Sequence, residues 1–227
     1  MKTTMVCGLL GSGKTTFIRN FVKGMTEKAV VLVNDFGKAG IDGEIFSAGG
    51  IESVELPSGC VCCTLKFDLI TTIQKIVKEF SPEHLLIEPS GVASPFGVLD
   101  ALASAGIKTV SVVGIIDATE FTELYDSGMY GSFFEDQITY ADVILVNKTD
   151  IAREETLVET INRIESINPR AVLFRTVNAE IREPVTWVSS TARDKRSHHA
   201  HFNFSTMTIK LKDMVDFESF YSRLKEL

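Results

Sequence analysis

Gly8, Gly11, Ser12, Gly13, Lys14 and Thr15 stand in the run Gly-Leu-Leu-Gly-Ser-Gly-Lys-Thr, which satisfies G-x-x-x-x-G-K-[ST]. Glycines at that spacing let successive backbone N–H groups curl round a phosphate. The lysine neutralises the outer phosphates, and the closing hydroxyl ligates magnesium. Lys14 and Thr15 are the residues to which this chemistry falls, with Thr16 beside them.

A second group of polar residues, Asn147-Lys148-Thr149-Asp150, directly follows the apolar run Asp142 to Val146. The Asp150 carboxylate can accept two hydrogen bonds from guanine N1–H and N2–H, whereas adenine offers no donor at N1. A charged acceptor left unpaired costs about 1–3 kcal/mol or more, enough to select one purine. Lys148 can lay its stem along the base, and Asn147 can tie this loop to the phosphate loop. An ordinary polar turn after a strand is the plainer reading of the same four residues.

Glu88-Pro89-Ser90-Gly91 ends the short apolar run Leu85 to Ile87. An acidic residue at a strand end, with a glycine soon after, suits a magnesium-linked carboxylate and a switch that senses the γ-phosphate. Glu88 and Gly91 are its candidate residues.

Three of the four cysteines fall in Cys60-Val61-Cys62-Cys63, after the turn residues Pro57-Ser58-Gly59. In an extended chain Cys60 and Cys62 share a face and Cys63 points away, so all three converge only if the chain bends. A helix starting at Thr64 supplies such a bend, and its N-terminal dipole favours thiolates. Thiolates bind zinc well, and two or three of them leave a tetrahedral ion needing one or two more ligands: Asp35, a histidine or water. Buried small hydrophobes and a redox switch remain alternatives, because the spacing is not that of a paired-CxxC zinc site. Cys7, inside the first apolar run, reads as core.

These groups need a scaffold that brings them to one edge. Thr3 to Leu9 reads as a strand and Thr15 to Val22, with Phe17, Ile18, Phe21 and Val22 at helical spacing, as the helix after it. Ala29 to Val33 is a β-branched run leading into Asn34-Asp35-Phe36-Gly37. Lys38 to Gly59 is a glycine-rich connection with a short strand at Ser53 to Leu56, in the place of a nucleotide-sensing switch. Leu65, Leu69, Ile73, Ile76, Val77 and Phe80 form a helical stripe that Ser81-Pro82 ends. Thr109 to Ile116, Asp142 to Val146 and Ala171 to Phe174 are further strands, with a helix over Arg153 to Ile167. Strands alternating with helices predict an α/β fold: a mostly parallel sheet with helices on both faces and ligands at the carboxyl ends of the strands.

The 227 residues are enough for one such domain with a small appendage, and 44% hydrophobic content agrees. A net charge of −7 argues against a nucleic-acid partner, which demands a basic face. No apolar run is long enough to span a bilayer, and the N-terminal run is too short for a signal peptide. A cytoplasmic, reducing location is the expectation, and it favours metal or redox chemistry for the cysteines over disulfides.

With these residues in place the chain resembles the CobW-like metal-chaperone GTPases, relatives of the GTPases that insert nickel into urease and hydrogenase. The resemblance rests on Gly8 to Thr16, Asn34 to Gly37, Ile41-Asp42-Gly43, Gly59 to Cys63, Glu88 to Gly91 and Asn147 to Asp150, and spans about residues 2 to 176. It implies GTP hydrolysis coupled to delivery of a metal, commonly zinc or cobalt, with Cys60, Cys62 and Cys63 as metal ligands beside the nucleotide. GTP, magnesium and the delivered metal are the implied ligands, and a client metalloprotein or metal-cofactor enzyme is the implied partner. A nucleotide- or metal-dependent dimer is compatible with it. The family usually carries glutamate where Asp35 stands, so any contact from that position has a shorter reach here.

The family also carries a full C-terminal domain, often after a histidine-rich link, and this sequence has only its beginning. The expected division is a GTPase domain over 1–195 and a link with a partial strand-helix unit over 196–227. His198, His199 and His201 read as a solvated link or as a spare metal-holding cluster. Phe202 and Phe204, then Met207, Ile209 and Leu211, alternate as a strand with a bulge, and Phe217, Phe220, Tyr221 and Leu224 form a helical stripe. Two functions compete with metal delivery: a GTP-holding metal or redox sensor that delivers nothing, and a small-molecule kinase, which the guanine-type tetrad weakens.

Overall fold

The computed structural model describes residues 1–33, 52–55, 64–91, 93–128 and 131–181. Seven strands form one sheet: β1 (Lys2–Gly8), β2 (Ala29–Val33), β3 (Glu52–Glu55), β4 (His84–Glu88), β5 (Ser111–Asp117), β6 (Val143–Asn147) and β7 (Val172–Arg175). Every pairing is parallel, in the order β3-β2-β4-β1-β5-β6-β7. The inner strands read as unbroken apolar runs because both of their faces are covered; all five residues of β4 and of β6 are buried.

Among the described residues six helices connect them: α1 (Lys14–Lys23), α2 (Thr64–Phe80), α3 (Pro95–Ser104), α4 (Phe121–Asp126), α5 (Gly131–Thr139) and α6 (Glu154–Ile167). The sheet separates two apolar clusters. On one face Phe17, Ile18 and Val22 of α1 pack on Val6, Val31, Leu86, Val113 and Leu145. On the other, Ile73 and Ile76 of α2, Leu102 of α3, Phe121 of α4, Ile138 of α5 and Ile164 of α6 cover Met5, Leu32, Ile87, Val112 and Ile144. Helices on both faces is thus the observed architecture. Cys7 lies in the second cluster, 3% exposed, as core.

The strand order sets where chemistry can sit. From β1 the chain winds one way through β2, β3 and β4, then crosses to β5, β6 and β7 on the other side. The crevice at a reversal of this kind, outside the carboxyl ends of the strands, is where ligands bind in open α/β sheets. The run from Gly8 to Thr15 leaves β1 at that point.

Among the described residues no helix is long and apolar enough to cross a membrane. Asn34 to Ile51, Leu56 to Cys63 and 182–227 lie outside the described residues, and with them Asp35, Cys60, Cys62, Cys63 and the three C-terminal histidines.

Candidate functional site

The phosphate loop is a closed turn on which a helix begins. The Leu9 carbonyl accepts from Ser12 N–H at 3.2 Å and from Lys14 Nζ at 3.1 Å. Gly8 and Gly11 have positive φ, as does Gly13 at 113°, the N-cap of α1. A Cβ on Gly13 would stand 2.7 Å from Asn147 Nδ2, so glycine there serves both the backbone turn and the approach of Asn147. Ser12 is 1% exposed, and its Oγ has no hydrogen-bond partner among the described residues. No side chain caps α1 and its first turn is free of acidic residues, so the N–H groups of its first turn and the helix dipole favour an anion at this end. Lys14 is 7% exposed and Thr15 and Thr16 are half-buried on that turn.

Thr15 meets the end of β4. Its Oγ1 donates to Glu88 Oε1 at 3.0 Å, across 73 residues of sequence, and Glu88 is 6% exposed. A hydroxyl and a buried carboxylate held together beside a phosphate-binding turn are the oxygen donors that magnesium prefers, so these residues fit that ion. Gly91, three residues on, is buried against the loop: a Cβ there would lie 2.7 Å from Leu10 N.

The tetrad occupies the end of β6. Asn147 is 2% exposed and donates from Nδ2 to Ser12 O at 2.9 Å. Its Oδ1 accepts from Ala179 N at 2.8 Å and from Thr176 Oγ1 at 3.2 Å. Lys148 takes a left-handed backbone, φ 62°, and its Nζ reaches Asp117 Oδ2 at 2.5 Å. Asp117, last in β5, is itself held by Thr119, whose N–H and Oγ1 donate to Oδ1 at 3.0 and 2.6 Å. Thr149 leans on β7's exit through two bonds to Thr176 O. Asp150 is exposed at the rim.

The fold therefore gathers Gly8, Gly11, Ser12, Gly13, Lys14, Thr15, Thr16, Glu88, Gly91, Asn147, Lys148 and Asp150 at the carboxyl ends of three strands, β1, β4 and β6. Asp117, Thr176 and Ala179 join them unannounced. Asp117 carried the same signal as Glu88, an acid closing an apolar strand. Thr176 and Ala179 carried none, because their part is to bond Asn147 from a distant loop in which Asn178 and Ala179 are both left-handed. Among the described residues no group of three or more His, Cys, Asp or Glu side chains is arranged to hold a metal ion.

A parallel sheet with a phosphate loop at its switch point and an asparagine-anchored loop beside it define a nucleotide-binding domain. The family model for the CobW/HypB/UreG nucleotide-binding domain matches residues 2–175. The chain belongs to that family.

Two curated relatives illustrate the spread. The zinc chaperone CobW of Sinorhizobium sp. is 28% identical, over 98% of this chain and 76% of that protein. The zinc-regulated GTPase metalloprotein activator 1 of Dictyostelium discoideum is 28% identical, over 80% of this chain and 46% of its own length. Among solved structures, the hydrogenase maturation factor HypB from Archaeoglobus fulgidus superposes with a TM-score of 0.55 at 22% identity, over 78% of this chain and 81% of that one. That likeness is one of fold.

Proposed function

We propose that this chain binds and hydrolyses GTP and uses the nucleotide state to govern the holding and delivery of a transition metal, zinc or cobalt, on Cys60, Cys62 and Cys63. Family membership and the two relatives, one named a zinc chaperone and the other a zinc-regulated GTPase, support this reading.

In this mechanism Lys14 and the amides of Gly11 to Thr16 neutralise charge on the phosphates. Thr15 and Glu88 would hold magnesium, with Asp35 as a further oxygen. Bound there, magnesium would draw charge from the outer phosphates as the bond to the leaving phosphate breaks. Asn147 fixes the distance between phosphate loop and base loop, Lys148 presents its stem to the base from its ion pair with Asp117, and Asp150 selects guanine. No side chain of the sequence stands out as a water-activating base, so intrinsic turnover is slow and rests on positioning and electrostatics.

One observation carries the coupling. Helix α2 begins at Thr64, immediately after Cys63, and Lys66 in its first turn pairs with Asp100 of α3 at 2.5 Å. Helix α3 in turn follows the loop that Glu88 and Gly91 fix to the phosphate loop. An exposed ion pair is worth little as energy. It does put the chain leaving the cysteines against the helix leaving the γ-phosphate loop, and packing of Leu69 and Ile73 with Ala101 and Leu102 in one cluster extends that seam.

The partner of such a protein is a client that receives the metal. The test is elemental analysis on protein purified without chelator, together with titration of GTP, ATP and GDP. Stoichiometric zinc or cobalt with GTP hydrolysis is the expected result. Oxidised cysteines without metal and no hydrolysis would point instead to a sensor, and phosphate transfer from GTP to a metabolite to a kinase.

A further inference from the structure

We propose that Gln137 is a positioning residue for the loop between Glu88 and Ser94, an inference that rests on the GTPase reading above. Gln137 lies on α5, is 3% exposed, and donates from Nε2 to Ala93 O at 3.2 Å. Its Oε1 is buried and has no hydrogen-bond partner among the described residues. An amide half-satisfied in an apolar setting is destabilising where a methionine would fill the same space. Phe134 and Ile138 on the same helix are buried in the core, so packing alone asks only for an apolar residue here.

The depth of α5 on the sheet explains how the amide reaches the loop. Gly114 of β5 has no side chain, and a Cβ there would lie 3.2 Å from Ala141 Cβ and 3.3 Å from Gln137 O. The helix backbone therefore sits low over β5. From that height Gln137 meets Ala93, whose own N–H closes the loop on Ser90 O at 2.9 Å.

Contacts that hold the loop include Glu88 to the Thr15 hydroxyl, Gly91 against Leu10, and Ala93 to Gln137. The first two are on the phosphate loop and helix that hold nucleotide. The third comes from the other side, from α5. Between α5 and the phosphate loop lies a small cleft lined by Leu9, Leu10, Phe121 and Gln137, with room for about one water molecule. The hydrogen bond from Gln137 fixes the Ala93 carbonyl and with it the end of the loop. Gln137 thereby holds the γ-phosphate loop in the position from which Glu88 acts.

Gln137→Met keeps the volume and removes the donor. Single-turnover hydrolysis with GTP is expected to slow about fivefold, the effect of one neutral hydrogen bond. GDP affinity should stay within about twofold, because the phosphate loop and base loop are untouched. Hydrogen exchange of the 90–94 amides in the presence of a non-hydrolysable GTP analogue should accelerate while the rest of the sheet exchanges as before. Unchanged hydrolysis and exchange would overturn the proposal, as would a loss of GDP affinity and melting temperature in step with hydrolysis. If the methionine variant does not fold, Gln137→Asn, polar but too short to reach, reads out the same quantities. A wild-type chain that hydrolyses no GTP defeats the underlying reading. An active wild type with an unaltered variant defeats only this inference.

Discussion

Asn147 on β6 and Ser12 in the phosphate loop, 135 residues apart, are joined by a buried hydrogen bond of 2.9 Å from the side-chain amide to the backbone carbonyl. With the two bonds that Asn147 Oδ1 accepts from the 176–179 loop, one side chain ties together the two halves of a nucleotide cradle. Preorganisation of this kind reduces the entropy lost on binding.

Asn147→Ala leaves the Ala179 N–H and Thr176 hydroxyl without their acceptor and opens a space beside Gly13. Unfolding free energy should fall by about 2–4 kcal/mol, from buried groups left unpaired. Nucleotide affinity should fall by at least about tenfold. Urea unfolding and fluorescent-nucleotide titration measure the two effects.

Glu88→Gln keeps an oxygen for the Thr15 hydroxyl and removes the charge that would face magnesium. The magnesium concentration giving half-maximal hydrolysis should rise about tenfold or more, with GDP binding in chelator unchanged. Titrating hydrolysis with magnesium separates this from a folding defect.

Asp117→Asn releases Lys148 from its partner. The pair is part-exposed, with Lys148 at 33% and Asp117 at 10%, so solvent screens it and stability should change by less than about 1 kcal/mol. Nucleotide affinity should drop about threefold, more at low salt than at high salt, because the orienting force is electrostatic. Affinity measured across a salt series decides it.

At the opposite edge of the sheet His84 opens β4, its Nε2 2.9 Å from Thr4 Oγ1 and its Nδ1 3.8 Å from Glu27 Oε2. Burial holds its pKa below the ordinary 6.5, against the upward pull of Glu27. A folded pKa below the unfolded one means that the unfolded chain takes up the proton first as the solution acidifies. The stabilisation is therefore full above 6.5 and declines below it. His84→Gln should flatten the loss of stability as the pH falls below about 6.5, read from urea midpoints.

Much of this was legible in the sequence because parallel strands buried on both faces must be apolar throughout. Ala29–Val33 was bounded to the residue, and the strands at β4, β5, β6 and β7 were displaced by one or two residues. The phosphate-loop run, Thr15, Glu88 and Asn147 can be named from sequence as candidates because each closes or follows a strand. The strand order was not readable, since which apolar run lies beside which is decided by long-range packing. Asp117 closes an apolar strand as Glu88 does and carries the same local signal. Gln137, Thr176 and Ala179 act through partners at least 29 residues away in sequence and have no local pattern to betray them. The readings for Cys60, Cys62, Cys63 and Asp35 fall outside the described residues.

The central claim is that thiols and nucleotide are thermodynamically coupled, and reciprocity requires each to alter the affinity of the other. The most direct measurement is zinc affinity, by competition with a chromophoric chelator, in saturating non-hydrolysable GTP analogue and in saturating GDP, with Cys62→Ser as reference. The account predicts zinc bound at least about fivefold more tightly with the GTP analogue, a difference abolished in Cys62→Ser. Equal zinc affinity in the two nucleotide states would contradict it.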